Sequence, residues 1–480
     1  MAQARSAASS MSLPHVQVIA PAHLGDTAIA ALRARGLDAR RGDEPGEDVI
    51  AWALDTTPTA SAALELARTC ARAATAGRPV CLLAPPPRGS GRAAIERTAA
   101  LALLRAHGAA LCHDVDTWLE AVVALCRFGM PKGPRAAVIA PEGSWLEAQA
   151  IALVAEAESA GARPPLVGRT GKGDDPTDVV LFDPSAPDRA TAQLPVLQVP
   201  VIARGELADG EPALYGARAA LGAIEVLGRA AERIAVGLGP APKSASAELE
   251  IDREQLKRQL DALARDTRVG DHKTKVLLRA YGVPITRQAV ARTPSAAVKI
   301  ARQLKYPVEL KPFADDLPTE PEGCPVERGV ASDALVRRAY AAVLAAAGRV
   351  PTTTETLPVI VRETPPVGRD VSVELVRLPA VGWTVVLDVP GAPQIAAAPA
   401  PLRLIDAQTL ASAIGSSRAG DPDLDRAGLA NLLRRTSHLV VDLDGRVERL
   451  VLPRVVVGGR GSRTVVVDAW CELVPGVPAY

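Results

Sequence analysis

The sequence predicts the α/β fold class, with two parallel-sheet units followed by a domain of α+β character. Three observations lead to this prediction. In the first half of the 480 residues, short apolar stretches alternate with helical ones, as in parallel strands joined by crossover helices. The tetrapeptide Val-Ile-Ala-Pro occurs at 18–21 and again at 138–141. Beyond residue 253 the strand-like stretches become longer.

The first predicted unit covers residues 15–129, after an Ala/Ser-rich tail at 1–14 that we expect to be loose. Its predicted strands are 16–20, 49–54 and 79–84, and its predicted helices are 26–35, 60–76, 92–107 and 115–127. The last helix starts where Asp114 or Asp116 can cap its N-terminus, and Trp118 and Cys126 lie on its apolar face.

The second predicted unit, residues 130–236, repeats this pattern. Residues 135–141 echo 15–21 and a helix follows each, which indicates two related flavodoxin-like units. Later elements are the strands 178–182 and 199–203 and a helix near 214–233. A linker is predicted at 237–252, because 237–247 is rich in Pro, Gly, Ser and Ala.

The final predicted domain is 253–480. It opens with a helical stretch at 253–282, for which Gly282 and Pro284 are a stop signal. The predicted strands that follow are 359–363, 371–377, 383–389 and 464–471.

Composition excludes several classes of partner. With 55 basic and 54 acidic residues the net charge is +1, which gives no electrostatic reason to expect nucleic acid or an anionic membrane. No run of about 18 apolar residues is present to span a bilayer.

The six cysteines form no CxxC pair and lie mostly in apolar stretches, so we expect free buried thiols rather than zinc ligands or disulfides. A cytoplasmic protein is predicted.

Several segments resemble the ADP-forming (NDP-forming) acyl-CoA synthetases, a succinyl-CoA-ligase-like family. Residues 275–284, 306–311 and 464–469 resemble parts of that family's C-terminal ATP-grasp domain. Residues 118–122 and 131–139 resemble the junction between its two succinyl-CoA-ligase-like units. The resemblance implies an ATP-grasp-like fold for 253–480, and an acid–CoA ligase reaction that needs Mg-ATP, a CoA-binding Rossmann domain and a phosphate-relaying histidine.

The relay histidine is the most informative position. The family has Ser-His-Thr-Gly-Ala-Leu-Ala, and the matching residues 96–102 place Arg97 where the histidine stands. A guanidinium stays protonated and has no free lone pair, so it cannot carry a phosphoryl group. Arg97 could instead bind an anion, or be a solvated helix residue. His107 is a possible substitute for the relay, or a histidine at a helix C-terminus ahead of Gly108.

The family's phosphate-binding and CoA-binding parts are also altered. The turns at 21–25 and 141–144 keep one glycine each where the family has Ser-Gly-Gly, and Glu142 adds negative charge. No GxGxxG fingerprint precedes residue 130, so we expect CoA to come with another chain and not to bind in cis.

In the ATP-grasp part, the resemblance implies nucleotide-binding roles for Lys311, Glu363 and Asp370 and a magnesium-ligand role for Asp468. The alternative for Lys311 is an ordinary half-exposed strand, because Val308 and Leu310 alternate with Glu309 and Lys311. Two further changes are implied by the resemblance. Leu450 stands at an Asp position of the family and Leu452 at an Asn position, and residues 318–325 replace one of its loops.

Magnesium needs oxygen ligands, which leucine lacks, so we expect ATP or ADP with Mg²⁺ to bind weakly. Three hypotheses remain open. The leading one is a catalytically degenerate relative, a pseudoenzyme acting as a non-catalytic binding or regulatory partner subunit. The second is an active ADP-forming ligase subunit completed by a partner chain. The third is an ATP/ADP-sensing module. All three are compatible with homo- or hetero-oligomers of acyl-CoA synthetase-like chains.

Overall fold

The structure is a computed structural model. It describes residues 15–46, 48–87, 89, 91–139, 145–159, 166–167, 179–182, 196–198, 214, 216–263, 266–315, 317, 323–349, 357–392, 395–415, 424–459 and 461–475. The chain divides into two compact units, one of residues 1–89 with 99–239 and the other of 90–98 with 240–480. The predicted tail at 1–14, the turn at 141–144 and the strand at 199–203 lie outside the described residues.

The first unit contains a five-stranded parallel sheet of order β2-β1-β3-β4-β5. Its strands are β1 (Val16–Ile19), β2 (Ala39–Arg41), β3 (Val49–Ala53), β4 (Cys81–Leu83) and β5 (Ala110–Cys112). The accompanying helices are α1 (Ala22–Ala34), α2 (Ala60–Thr75), α3 (Arg92–Ala106) and α4 (Val115–Phe128). The predicted alternation is confirmed, although α1 begins four residues before the predicted start and the strands β2 and β5 were not expected.

Local chemistry explains where α4 begins and which face it buries. Asp114, not Asp116, is the N-cap, because its carboxylate accepts from the Thr117 N–H at 2.7 Å. Trp118 is fully buried, and its indole N–H donates to the Cys81 carbonyl at 2.9 Å. This bond satisfies the one polar group of a large apolar side chain.

A second parallel sheet, of order β7-β6-β8-β9, follows in the same unit. Its strands are β6 (Ala136–Ile139), β7 (Leu166–Val167), β8 (Val179–Phe182) and β9 (Val196–Gln198), and its helices are α5 (Trp145–Ser159) and α6 (Ala217–Val236). The parallel α/β character of the first half is therefore confirmed.

The second unit is built from two antiparallel sheets. The small sheet has the order β11-β14-β12-β13, and the large sheet has the order β10-β19-β18-β15-β16-β17. The small-sheet strands are β11 (Gln288–Ala291), β12 (Val308–Pro312), β13 (Glu327–Val330) and β14 (Val359–Glu363). The large-sheet strands are β10 (Arg268–Val269), β15 (Gly368–Leu378), β16 (Gly382–Asp388), β17 (Ala396–Pro399), β18 (Val447–Gly458) and β19 (Val465–Leu473).

Helices cover one face of each of these sheets. They are α7 (Arg253–Ala262), α8 (Asp271–Ala280), α9 (Pro294–Leu304), α10 (Asp333–Ala347), α11 (Leu404–Ser412) and α12 (Arg426–Asp442), with a 3₁₀ turn at Lys243–Glu248. Apolar residues of α9 and α10 share a core with Val308 and Leu310 of the small sheet. Residues of α12 share the larger core with Leu450 and Leu452.

The prediction of one helical stretch over 253–282 is wrong in its middle. The helix stops at Ala262, the strand β10 pairs with β19, and α8 restarts after Gly270. The predicted end is confirmed, since Gly282 has a positive φ of 65° just after α8.

The cysteines match the sequence-based expectation. All six are free and buried. Among the helices whose residues are described, none is both long and apolar enough to cross a bilayer.

Candidate functional site

The predicted nucleotide-binding lysine lies in a strand that is buried on both faces. Lys311 is on β12, all five residues of which are buried; Glu309 is 3% exposed and Lys311 is 4% exposed. The half-exposed-strand alternative is therefore wrong. One face of β12 packs on α9 and α10, and the other meets charged groups from α8, β14 and β19.

Lys311 is held by two carboxylates. Its Nζ donates to Oδ1 of Asp468 at 2.8 Å, and it lies 3.2 Å from Oδ2 of Asp271. Asp468 belongs to β19 of the large sheet, and Asp271 is the first residue of α8. The structure thus brings Lys311 and Asp468 together and adds Asp271.

A second lysine lies beside the first. Lys275, one helical turn after Asp271, is 3.1 Å from Oδ1 of that carboxylate. Its ammonium also donates to the Val467 carbonyl at 2.7 Å, to Gln288 Oε1 at 2.8 Å and to the Thr286 hydroxyl at 3.0 Å. At 1% exposure, Lys275 is fully satisfied by protein groups.

A third cation completes the arrangement. Arg362 of β14 is fully buried, and its Nε donates to Glu309 Oε2 at 2.9 Å across the β12–β14 pairing. Its Nη1 donates to the Val467 carbonyl at 3.1 Å, the same carbonyl that binds Lys275. We refer to the six residues Asp271, Lys275, Glu309, Lys311, Arg362 and Asp468 as the charge cluster; its three cations balance its three carboxylates.

Electrostatic coupling inside the charge cluster is strong because the groups are desolvated together. Burial and the neighbouring cations, opposed by Asp271, lower the pKa of Lys275 to about 8. Burial disfavours the charged form of Lys311, but attraction to Asp271 and Asp468 outweighs it and raises the pKa of Lys311. Attraction to the two lysines likewise overcomes burial at Asp271 and lowers its pKa, whereas burial and the nearby Asp271 raise the pKa of Asp468.

Space next to the charge cluster is small. The cavity bordered by Asp271, Lys311 and Asp468 has a volume of about 30 Å³. That is room for about two water molecules, whereas ligand pockets occupy about 300–1,000 Å³. In this arrangement the residues do not fit Mg-ATP, because the cavity is too small and both carboxylates already bind lysine.

The other two predicted nucleotide-binding residues have partners of their own. Glu363 lies 2.6 Å from Arg287 and 2.8 Å from Arg463, and it accepts from the Arg287 backbone N–H at 2.9 Å. Asp370, 54% exposed, lies 3.2 Å from Arg454. Their roles in nucleotide binding stay predictions.

The leucines at the family's metal-ligand positions are inside the apolar core. Leu450 is 2% exposed and Leu452 is fully buried, both on β18. Among the described residues, no group of three or more His, Cys, Asp or Glu side chains is arranged to hold a metal ion.

Two histidines bear on the relay question. His107 follows the last residue of α3, and its Nδ1 is 2.8 Å from the Leu103 carbonyl, which suits a histidine at a helix C-terminus. His272 lies next to Asp271 with its ring edge-on to Phe313 at 5.9 Å, and its buried Nδ1 has no partner among the described residues. Sequence reasoning missed His272. Arg97 is partly buried in α3.

The turn at 21–25, considered as a phosphate site, opens α1. Pro21 is the N-cap and supplies no side-chain hydrogen bond. A cavity of about 520 Å³ lies at the carboxyl ends of β1 and β3 beside this turn. The Arg41 guanidinium lies so close to Gly25 that a Cβ there would be 2.5 Å from it.

Comparison with known proteins identifies the class of the second unit. Residues 261–473 match the family model of the ATP-grasp domain. The second unit therefore contains an ATP-grasp domain, the fold predicted from the resemblance.

Part of the chain is similar to subunits of known ligases. It is 24% identical to subunit beta of ADP-forming acetate–CoA ligase II from Pyrococcus furiosus over 227 residues, which are 45% of this chain and 96% of that relative. It is 26% identical to subunit beta of ligase I from the same organism over 130 residues, 27% of this chain and 56% of that relative.

Among solved structures, a dinucleotide-forming acetyl-coenzyme A synthetase 1 from Ca. Korarchaeum cryptofilum, in complex with coenzyme A and Ca-AMPCP, is 23% identical. It covers 43% of this chain and 94% of its own, with a TM-score of 0.40.

Proposed function

We propose that this chain is a catalytically degenerate relative of the ADP-forming acyl-CoA ligases that serves as a non-catalytic binding or regulatory partner subunit, with at most residual nucleotide binding. The observation that carries the proposal is the state of Lys311. The cation that should meet nucleotide phosphates is 4% exposed and already neutralised by Asp468 and Asp271.

Electrostatics and space support this proposal in the same way. Phosphoryl transfer depends on metal and cationic charge placed against the phosphates. Here three cations are balanced by three carboxylates, and the adjoining cavity of about 30 Å³ is far smaller than a nucleotide needs.

Two substitutions add chemical support. Leu452, at the family's Asn position, is buried in apolar surroundings and offers no oxygen to Mg²⁺. Arg97, at the family's histidine position, cannot form a phosphohistidine. Both assignments follow from the family resemblance, and together they would remove metal binding and phosphate relay.

Partner chains follow from the same proposal. The similar Pyrococcus proteins are named as subunits, so we propose that this chain assembles, as a homo- or hetero-oligomer, with acyl-CoA synthetase-like chains in the cytoplasm. In such an assembly CoA would be bound by another chain.

A direct test uses the purified full-length protein with Mg-ATP. A ligand present at 100 times its dissociation constant stabilises a protein by about 2.7 kcal/mol, which a thermal-shift assay detects. We expect no such shift at millimolar Mg-ATP, and no acid-labile phosphoprotein after incubation with γ-labelled ATP. A shift together with an acid-labile phosphoryl group would overturn the proposal.

The second candidate is an active ligase subunit completed by another chain. It is favoured by the similarity to the beta subunits of ADP-forming acetate–CoA ligases, one of which is matched over 96% of its length. Purification with the native partner, followed by an assay for acid- and CoA-dependent release of ADP, distinguishes the two candidates. Release of ADP by the assembled complex favours the ligase.

A further inference from the structure

The helices outside the small sheet carry an uneven share of the charge. With their flanking residues, α9 and α10 cover 292–305 and 333–349 and contain seven basic residues and one acidic residue, whereas the whole chain has 55 basic and 54 acidic residues. All seven basic residues are exposed. We refer to them as the basic face: Arg292, Lys299, Arg302, Lys305, Arg337, Arg338 and Arg349.

Helix packing explains why these residues lie on one side of the small sheet. Apolar residues of both helices form a core with Val308 and Leu310 of the sheet, so the charged sides of the helices face outward. Arg302 of α9 bonds to Asp333 of α10, with 3.1 Å between Nε and Oδ1. This bond places the C-terminal end of α9 beside the N-terminal end of α10.

Asp333, the one acidic residue among them, does not neutralise the basic face. Its carboxylate accepts from Arg302 and, at 2.7 Å, from the Tyr306 hydroxyl. These hydrogen bonds lower the pKa of Asp333, so it stays ionised and committed to them. The other six members of the basic face form no ion pair with a carboxylate of the described residues.

The backbone of Lys305 adds an independent observation. Its φ is 69°, in the region that glycine adopts freely and that side chains with a Cβ rarely adopt. A lysine at this exposed position thus keeps a charge on the basic face at a cost in backbone strain. A solvated surface alone gives no reason for that cost.

The residue types of the basic face fit a protein partner. Five of the seven are arginines, which are enriched at protein–protein interfaces, whereas lysines are depleted there. A guanidinium binds a carboxylate through two parallel hydrogen bonds. Leu335 of α10, 42% exposed, adds an apolar contact between the charges.

Other polyanions fit this surface less well. Single-stranded nucleic acid stacks its bases on exposed aromatic side chains, but Tyr340, the one aromatic residue of α9 and α10, is buried. A helix that lies on a membrane inserts a broad apolar face, and the apolar faces of α9 and α10 form the core of the small sheet.

We propose that the basic face docks an acidic surface of another protein chain. The inference rests on the proposed function, because it assigns the surface of this chain that meets the partner subunit and the charge that the partner presents. Two helices of this length side by side offer roughly 400 Å², about half of what each partner of a standard interface buries. Docking here should therefore be transient, steered by charge and weakened by salt.

Charge reversal tests the proposal with fluorescent poly-glutamate as the probe. The triple variant of the full-length chain changes exposed members that form no ion pair with a described carboxylate: Lys299→Glu, Arg337→Glu and Arg338→Glu. At physiological salt we expect its dissociation constant for poly-glutamate to be at least about tenfold weaker than that of the wild type, because three ion pairs are lost.

The matched control reverses three exposed charges on α7 of the same unit: Arg253→Glu, Lys257→Glu and Arg258→Glu. The control should bind poly-glutamate within about twofold of the wild type, since acidic residues already balance these charges along 252–261. Equal weakening in the triple variant and the control overturns the proposal. If the triple variant does not fold, Lys305→Gly decides: it removes one charge and relieves the strained backbone, and an unchanged affinity then overturns the proposal.

Carbodiimide cross-linking tests the chemistry of the partner, because this reagent joins lysine amines directly to carboxylates. In an extract of the cells that produce the chain, we expect Lys299 or Lys305 to be joined to an Asp or Glu of a second polypeptide, as located by mass spectrometry. A different chain or a second copy of this chain would both support the proposal. Linkage at neither lysine, or equally frequent linkage at Lys257, overturns it.

Duplex DNA and phosphatidylserine vesicles test the alternatives. Sub-micromolar binding of either at physiological salt, tighter than non-specific association with DNA and lost in the triple variant, would assign the basic face to that ligand and overturn the proposal.

These outcomes are separable from those for the proposed function. Mg-ATP binding with acid-labile phosphorylation would contradict the proposed function whatever the basic face binds. No Mg-ATP binding together with failed docking would leave the chain non-catalytic and remove only the role of the basic face.

Discussion

Replacing Lys311 with methionine is the most informative change to stability. Methionine has nearly the same length as lysine but no charge, so the substitution leaves Asp468 and Asp271 facing each other without their shared cation. The three side chains are 5%, 3% and 7% exposed, so water cannot replace the lost partner. Removing one member of a buried ion pair costs about 3–5 kcal/mol.

The free energy of unfolding of the second unit should therefore fall by about 3–5 kcal/mol. This is equivalent to a rise of more than a hundredfold in the equilibrium constant for opening of that unit. Hydrogen-exchange mass spectrometry on peptides from β12 and β19 measures this opening without a contribution from the first unit. Lys299→Met on α9 is the control, because Lys299 is exposed and surface substitutions change stability within about 0.5 kcal/mol. A loss for Lys311→Met no larger than the control's would refute the description of the charge cluster as a closed network.

Three further predictions concern other parts of the chain. Leu452→Asn should destabilise the second unit by about 2–5 kcal/mol, because a polar group replaces a fully buried apolar side chain. The variant should show no magnesium affinity in a calorimetric titration, and Mg²⁺-dependent stabilisation of the variant would contradict this. His438 is fully buried and burial lowers its pKa, so the unfolded state binds the proton more readily. Stability should therefore decline as the pH falls below about 6.5, and His438→Leu should reduce that dependence in urea unfolding. Glu120→Ala should destabilise the first unit by about 3–5 kcal/mol, because Glu120 is 2.6 Å from Arg35 and both side chains are mostly buried. Amide exchange in peptides from α4 measures this loss, and an unchanged exchange rate would refute the prediction.

The regular alternation of the first unit could be predicted from the sequence. Apolar strands such as 49–53 and helical faces such as that of α4 are local patterns with a period of 2 or 3.6 residues. The break between α7 and α8 was missed, although Gly270 immediately before Asp271 was a usable signal for a new helix start. The strand β10 has only two residues, and its existence depends on pairing with β19 far along the chain.

The site was predictable only in part. Lys311 and Asp468 were found through the family resemblance, but their mutual bond joins residues 157 positions apart and depends on how the two sheets meet. Glu309 and Arg362 looked like ordinary strand residues; their pairing arises because they are directly opposite each other in the register of β12 and β14. Asp271 and Lys275 show the spacing of a helix ion pair, but nothing local indicates that both are buried.

We propose that the nucleotide position of this ATP-grasp domain is closed by its own charges. Equilibrium dialysis of labelled ATP with Mg²⁺ against the whole chain tests this proposal. The structure predicts a dissociation constant weaker than about 1 mM, equivalent to less than about 4 kcal/mol of binding free energy. A micromolar dissociation constant that is lost in Lys311→Met and kept in Lys299→Met would contradict it.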